Sequence, residues 1–459
     1  MSLMKMSPEN VATEIKKGNI IITVIGLGWM GLPLACLFAD AGAKVVGMDL
    51  NQKVVEAVNK GDCPNPEPGL SKILKKNVSK GNLEATRSIN KALSKSKVII
   101  ITIPTMVTKY GKSDYSILEK LCCEIGRRLQ KNSMVILEST VAPTVTERIV
   151  KSTLEKHSGL KVERDFGLAY SPIRAMGGSV LKDMQNYARV VGANDKKSLE
   201  LACAIKSIIV KGKIIRVTDL RTAEASKIFE TVYRDINIAL VNELAKFCEK
   251  AGVDFMEARR AANSQPFSHL LIPSIGVGGH CLPMYPYMLL TETKLLDVPL
   301  KIVKEGRKVN ESMPNHALRL IANGLKTCGK TLKMARVTIL GISYRSNIKE
   351  IRFSPAIELI RLLERRGCRI RVYDPEFSHS EIAKMGYKTE PTFERAIEKS
   401  DCIVVTVGHK EFKNLRPQKI AAHASRPCVI VDGSHIFNPR AVEKAGIIYR
   451  GIGRGVWNK

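Results

Sequence analysis

The six residues GLGWMG, Gly26 to Gly31, constrain this chain more than any other stretch because of what surrounds them. They come after IIITVI at 20–25, a short apolar run of the kind buried on both faces in a parallel strand. A helical stretch, LPLACLFADAG, comes next, and a second apolar run, AKVVGMDLN, carries Asp49, 18 residues past Gly31. Strand, glycine turn, helix, strand and acid is the setting in which G-x-G-x-x-G specifies dinucleotide binding. Gly26 permits the tight turn, Gly28 lets backbone approach a pyrophosphate, and Gly31 lets helix and strand pack closely. The helix N-terminus offers free N–H groups to phosphate oxygens. Asp49 can accept bonds from both ribose hydroxyls, which favours NAD over NADP.

Composition narrows the rest. At 459 residues the chain exceeds one hydrophobic core, so two or three domains are expected. The net charge of +29 raises the question of a nucleic-acid partner. The basic residues are spread along the chain, however, and aromatics at 5% are too sparse for base stacking, so a solvated surface that steers an anionic small molecule is expected instead. No apolar run reaches the roughly 18–20 residues that cross a bilayer, and no signal-peptide pattern opens the chain. A cytoplasmic protein without membrane contact is the expectation. Eleven cysteines show no CxxC pair and no zinc spacing, so no metal is expected, and most thiols read as small buried hydrophobes.

Further strands are expected at Lys97–Thr105 and Ser133–Thr140. From Arg221 to Ala251 the chain runs without Gly or Pro, with apolar residues at three- and four-residue steps: Ile228, Val232, Ile236, Ala239, Leu240, Leu244, Phe247. That predicts one long helix stopped by Gly252, of a length that spans domains or builds a dimer core. A second α/β unit comes next. Its strands are read at ARVTILGISY, CRIRVYDP, DCIVVTVG and, last, PCVIVDGS, with a helix starting at Ser354-Pro355. The predicted fold is α/β, with two Rossmann-like doubly wound domains joined by a long central helix and a helical middle domain. Expected boundaries are 1–212 for an NAD-binding domain, 213–325 for a central helical domain and 326–459 for a second Rossmann-like domain.

One stretch, IGVGGHCLPMYPY (Ile275–Tyr287), places Cys281 after a glycine cluster and on a turn, where a thiol is either packing or a nucleophile. The ordered motifs GLGWMGLPLA, PTMVT, ESTVAP, SPIRAMGG, EASKIFETVYRDINIALVNELA, GVGGHC and GISYRSNIKEIRFSP, over about residues 19–455, resemble the UDP-glucose/GDP-mannose dehydrogenase family. The wording of GVGGHC and YRDINIALVNE is most similar to the branch acting on UDP-N-acetyl-mannosamine and related sugars.

The resemblance implies NAD-dependent oxidation of C6 of a nucleotide sugar to a uronate, through a thiohemiacetal and a thioester on Cys281. Bare glycine before the cysteine would let the sugar come within reach of sulfur. The resemblance makes Lys227 the proton donor and acceptor, and Thr105 and Thr140 NAD contacts beside Gly26, Gly28, Gly31 and Asp49. It places Arg174, Lys227, Thr231, Arg234, Gly278, Tyr344, Arg345 and Arg352 on the substrate, arginines suiting a diphosphate. A homodimer or larger homo-oligomer is implied, with dimerisation and catalysis in the central domain, 213–325, and UDP-sugar binding in the last, 326–459.

Five positions depart from the family pattern. Ile173 stands for a glutamate, Thr231 for an asparagine and Tyr285 for an aspartate. Gln265–Phe267 reads QPF for HPR, and Ser434 stands for an arginine. The first three losses fall on groups credited with handling water in thioester hydrolysis. Three readings stay open: a divergent uronate-forming enzyme, acting on a UDP-N-acetylhexosamine or UDP-glucose, with Glu138, Glu230 or His280 serving the water; a two-electron oxidoreductase; and a nucleotide-sugar binder without turnover.

Overall fold

The computed structural model describes residues 3–65, 67–108 and 111–458, excluding the side chains of residues 294 and 295. The chain divides into two compact units, Met1–Glu230 with Tyr287–Asp297, and Thr231–Pro286 with Val298–Lys459.

In the first unit the strands are β1 (Ile21–Ile25), β2 (Val45–Met48), β3 (Leu83–Thr86), β4 (Ser96–Ile101), β5 (Met106–Val107), β6 (Ser113–Asp114), β7 (Met134–Leu137), β8 (Gly167–Tyr170), β9 (Arg189–Ala193) and β10 (Ile214–Arg216). All but β5 and β6 form one sheet in the order β10-β9-β8-β7-β4-β1-β2-β3. Pairing is parallel from β3 across to β8, and β9 turns antiparallel to β8. The Val/Ile-rich runs that read as strands are buried on both faces, as a helix-covered parallel sheet requires. The order reverses between β1 and β4, and the Gly26 turn leaves β1 at that switch point, where α/β sheets bind ligands.

This unit holds a fully buried group of charges at the strand ends of β7 and β9. Glu138 is ion-paired with Lys206 through one oxygen and lies 3.5 Å from Arg189 Nη1 through the other. Burial pushes both Lys206 and Arg189 below their ordinary values, with Glu138 opposing. This placement corrects Glu138 as a candidate for activating water, because its oxygens are committed to cations sealed from solvent.

The second unit has β11 (Arg336–Leu340), β12 (Arg369–Tyr373), β13 (Cys402–Val405), β14 (Val429–Asp432) and β15 (Ile448–Gly451), all parallel in the order β12-β11-β13-β14-β15. β14 is therefore not the last strand. β15 escapes an apolar reading because it contains Arg450, whose guanidinium is buried against Asn323, Thr327 and the Tyr449 carbonyl. The helix Pro355–Arg365 starts as expected, Ser354 accepting the Ala356 N–H ahead of Pro355. A 27-residue helix, Lys301–Thr327, is masked in the sequence by its internal Pro314. It docks on the long helix through a buried polar network: Arg307 Nη1 lies 2.6 Å and Asn310 Nδ2 2.9 Å from Asp235 Oδ1, and Asn242 Nδ2 donates to Asn310.

The long helix itself runs Leu220–Ala251, its first turn held by Asp219 accepting from Thr222 N. The apolar stripe divides: Ile228, Val232 and Ala239 are buried, whereas Leu240, Leu244 and Phe247 are exposed, as are Phe229 and Tyr233. Among the described residues no helix is long and apolar enough to cross a membrane. The architecture is thus α/β, with two doubly wound sheets and a long helix running from one unit into the next.

Lys206→Met strands part of a buried anion, so it is expected to lower unfolding free energy by about 3 kcal/mol, read as a fall in the urea midpoint. An unchanged midpoint would show that the charges are not sealed from water.

Candidate functional site

The first unit presents a nucleotide turn built by hydrogen bonding at strand ends. Gly26 has φ +95°, and its N–H donates to Met48 O at 2.8 Å. Thr102, next after β4, donates its hydroxyl to Gly26 O at 2.8 Å. A Cβ on Gly31 would sit 1.7 Å from that same oxygen, so helix and strand can close only around glycine. A Cβ on Gly28 would meet nothing within 4 Å, which leaves its backbone open to a ligand. Asp49 accepts from Leu27 N and Asn51 N, both at 2.8 Å, and stands half-buried with lone pairs to spare. These residues fit an adenine dinucleotide: an open glycine edge at the start of the helix Gly31–Asp40, and a carboxylate at the end of β2. Thr105 donates to the Thr140 carbonyl at 2.6 Å, so two expected NAD contacts lie against each other beyond β4 and β7.

Still in the first unit, Lys227 Nζ lies 3.1 Å from Glu230 Oε1. Arg174 Nε lies 2.9 Å from Glu230 Oε2, at an angle that makes it an ion pair rather than an aligned hydrogen bond. The sequence offers Glu230 only as one possible base; its spacing of three residues from Lys227 is the available signal for the pair. Nearby, Glu224 accepts from Thr144 N and Thr146 N, and burial pushes its carboxyl up to about 7. Ile173 packs against the apolar core.

The second unit presents Cys281. Among the described residues it is the one exposed cysteine of eleven; the others are buried or half-buried. Its carbonyl accepts from Met284 N and Tyr285 N, so it stands in the turn that leads into the helix Tyr285–Leu296. Its Sγ lies 3.4 Å from Tyr285 Oη, which gives the tyrosine after the cysteine a partner.

The glycines before it have a packing reason beside the one expected. A Cβ on Gly278 would come within 2.7 Å of Phe353 O, and one on Gly279 within 2.7 Å of the Tyr344 ring. Gly279 also takes φ +90° and donates to Arg352 O. The pair is bare so that the cysteine turn can clamp onto the 344–353 loop. Burial pushes the Tyr344 hydroxyl up from its ordinary value, with Arg345 opposing. His280, half-buried, is pushed down by burial and by Arg352.

That loop is anchored below. Asp374, at the end of β12, accepts from Ile342 N at 2.8 Å and Ser343 N at 3.0 Å. His409 Nδ1 accepts from Asn347 N, and its Nε2 lies 3.3 Å from Asp374. Burial works to raise the Asp374 carboxyl, but His409 and these N–H groups hold it below the usual range. Above the anchor, a cleft of about 300 Å³ opens at the carboxyl ends of β11, β13 and β14, lined by Tyr344, Arg345, Pro355, Thr406, Lys413 and Ser434 among others. Lys413 is not foreseen from the sequence, since it lies outside the recognised motifs. Arg352 is exposed on the same loop, and Thr231 and Arg234 lie on the long helix, Thr231 buried and Arg234 exposed. Phe267, where an arginine was expected, is 93% exposed. Among the described residues no group of three His, Cys, Asp or Glu is arranged to hold a metal ion.

The comparisons agree with this division of labour. Residues 20–209 match the NAD-binding domain, 221–312 the central domain and 338–439 the UDP-binding domain of the UDP-glucose/GDP-mannose dehydrogenase family. UDP-N-acetyl-D-mannosamine dehydrogenase of Pyrococcus horikoshii is 34% identical over 95% of this chain and 99% of its own length. The solved structure of UDP-D-ManNAc dehydrogenase from that organism superimposes with a TM-score of 0.87 at 33% identity, covering 95% of this chain and 100% of that one. An NDP-N-acetyl-D-galactosaminuronic acid dehydrogenase from Methanosarcina mazei gives 0.83 at 30% identity, covering 99% and 100%. Three domains matched in order, on a scaffold with a glycine turn fit for a dinucleotide, settle the kinship: the chain belongs to the UDP-glucose/GDP-mannose dehydrogenase family and is an NAD-dependent nucleotide-sugar dehydrogenase.

Proposed function

We propose that this chain oxidises C6 of a UDP-N-acetylhexosamine, UDP-N-acetyl-D-mannosamine first among them, to the uronate through Cys281, in the cytoplasm. The observation that carries the reading is that one residue, Tyr344, both lines the nucleotide cleft and packs against the glycines that hold Cys281. A diphosphate seated by Arg345 and Lys413 would thereby be tethered beside an exposed thiol. The sugar assignment rests on the relatives at 31–34% identity, which are UDP-N-acetyl-D-mannosamine dehydrogenases.

NAD, held at Gly26, Gly28, Gly31 and Asp49 with Thr105 and Thr140 beyond, supplies the hydride acceptor for both oxidations. Lys227, as the neutral amine, takes the proton of the C6 hydroxyl as the alcohol becomes an aldehyde and its hydride leaves. The Cys281 thiolate bonds to the aldehyde carbon, and the carbon it holds is oxidised again to a thioester. Water then adds, the C–S bond breaks, and Cys281 leaves as thiolate with the carboxylate released. Arg174, Thr231, Arg234, Gly278 and Arg352 are assigned to the substrate. The domains are assigned as 1–212, 213–325 and 326–459.

The exposed apolar residues Tyr233, Leu240, Leu244 and Phe247 on the long helix support a homodimer built on that helix, since such a stripe on a soluble protein marks an interface. Phe247→Glu is expected to shift the mass in light scattering from dimer to monomer; a variant of unchanged mass places the interface elsewhere.

With a panel of UDP-sugars, two NADH are expected per sugar consumed, highest with an N-acetylhexosamine. One NADH with free aldehyde accumulating would establish the two-electron reaction instead. Cys281→Ser is expected to keep NAD binding by calorimetry and to lose uronate formation; product at the normal rate would remove Cys281 from the reaction.

A further inference from the structure

We propose that Glu230 is the positioning residue of the lysine–arginine pair, aligning Lys227 for proton transfer at the sugar. The inference rests on the dehydrogenase reading above and names a residue that the reading leaves without a role. Position 173 supplies no carboxylate, being an isoleucine packed against the apolar core. Two other glutamates of the unit are committed elsewhere: Glu138 to buried Lys206 and Arg189, Glu224 to the amides of Thr144 and Thr146.

Glu230 instead gives one oxygen to each of two cations, Oε1 to Lys227 at 3.1 Å and Oε2 to Arg174 at 2.9 Å. Arg174 is itself tied to the sheet, its Nη1 donating to Ala188 O at 3.2 Å, directly before β9. The chain of contacts therefore runs from fixed backbone through Arg174 and Glu230 to the ammonium. A lysine on a helix three residues from a glutamate would alone be a weakly ordered pair; the arginine from the sheet makes the carboxylate a fixed reference. Once the amine has taken the proton, two cations and one carboxylate leave a net positive charge, the sign that suits an oxygen bearing negative charge.

The test compares Glu230→Gln and Glu230→Ala with the wild type. Glu230→Gln is expected to lower kcat by roughly tenfold to a hundredfold, with KM for NAD and the melting temperature unchanged. In Glu230→Ala, added formate is expected to restore part of the lost kcat, since the side chain it replaces is solvent-accessible. Lys227, released from its carboxylate, is expected to be acylated faster by an amine-reactive ester, read by peptide mass spectrometry. A Gln variant within twofold of wild-type kcat overturns the proposal, as does activity lost together with NAD affinity or stability and not recovered with formate. Should the wild type itself yield no NADH from any UDP-sugar, the oxidation reading falls; unchanged Lys227 acylation in Glu230→Gln would overturn the positioning role independently.

Discussion

A carboxylate at the end of a strand, accepting amide protons from the turn that leaves the neighbouring strand, shapes both ligand-facing edges of this protein. Asp49 ends β2 and takes the N–H of Leu27; Asp374 ends β12 and takes those of Ile342 and Ser343. The surroundings repeat as well. Gly26 and Gly341 have φ of +95° and +94°, and Thr102 and Thr406 each donate a hydroxyl to the glycine carbonyl beside them. A glycine in the left-handed region turns the chain, a threonine from the adjacent strand pins it, and an acid gathers the amides that the turn exposes. The same device serves two ligands because the chain beyond it takes different paths. After Gly26 it enters a helix at once and leaves Gly28 bare, which suits a pyrophosphate. After Gly341 it makes a longer loop through Tyr344, Arg345 and Arg352, which brings cations and an aromatic ring to the cleft.

Much of this is legible in the sequence alone. The β-branched runs, the GLGWMG turn with its acid, the long helix and the Ser354-Pro355 start each carry a local signal strong enough to survive folding. The failures share a cause: a residue whose local preference is overruled by tertiary partners. Arg450 disguises β15 because its guanidinium finds buried acceptors, and Pro314 disguises the helix Lys301–Thr327, whose flanking Asn310 and Arg307 are locked to the long helix. The exposed half of the long helix's apolar stripe is invisible for the opposite reason: periodicity reports which residues share a face, not what covers it.

Sequence spacing offers candidates for the chemistry but not their supports. Cys281 and Lys227 stand out through their motifs. Their supports do not, since Tyr344 on the cysteine turn and Arg174 on Glu230 lie more than fifty residues away in the chain. The glycines carry a second constraint beside the one the sequence suggests. Gly278 and Gly279 read as room for substrate, and the close approach of Phe353 O and the Tyr344 ring shows that they also make room for protein. A side chain at either position would lift the cysteine turn from the loop that lines the cleft, so thiol and nucleotide site are coupled through this close packing.

The departures from the family pattern acquire a physical order from these contacts. Ile173 belongs to the core of the first unit, so its loss of charge is also a gain of apolar packing. Tyr285, where the family has an acid, sets a hydroxyl 3.4 Å from sulfur. A phenol there can donate to a thiolate, which an ionised carboxylate cannot, and it brings no negative charge against the sulfur. A neutral hydroxyl thus stands beside the proposed nucleophile, while Glu230 lies between Lys227 and Arg174. Hydride removal needs a positive field at the C6 oxygen, and hydrolysis needs a good leaving sulfur. In the proposed reaction the two cations around Glu230 serve the first requirement, and a tyrosine in place of an acid beside Cys281 serves the second.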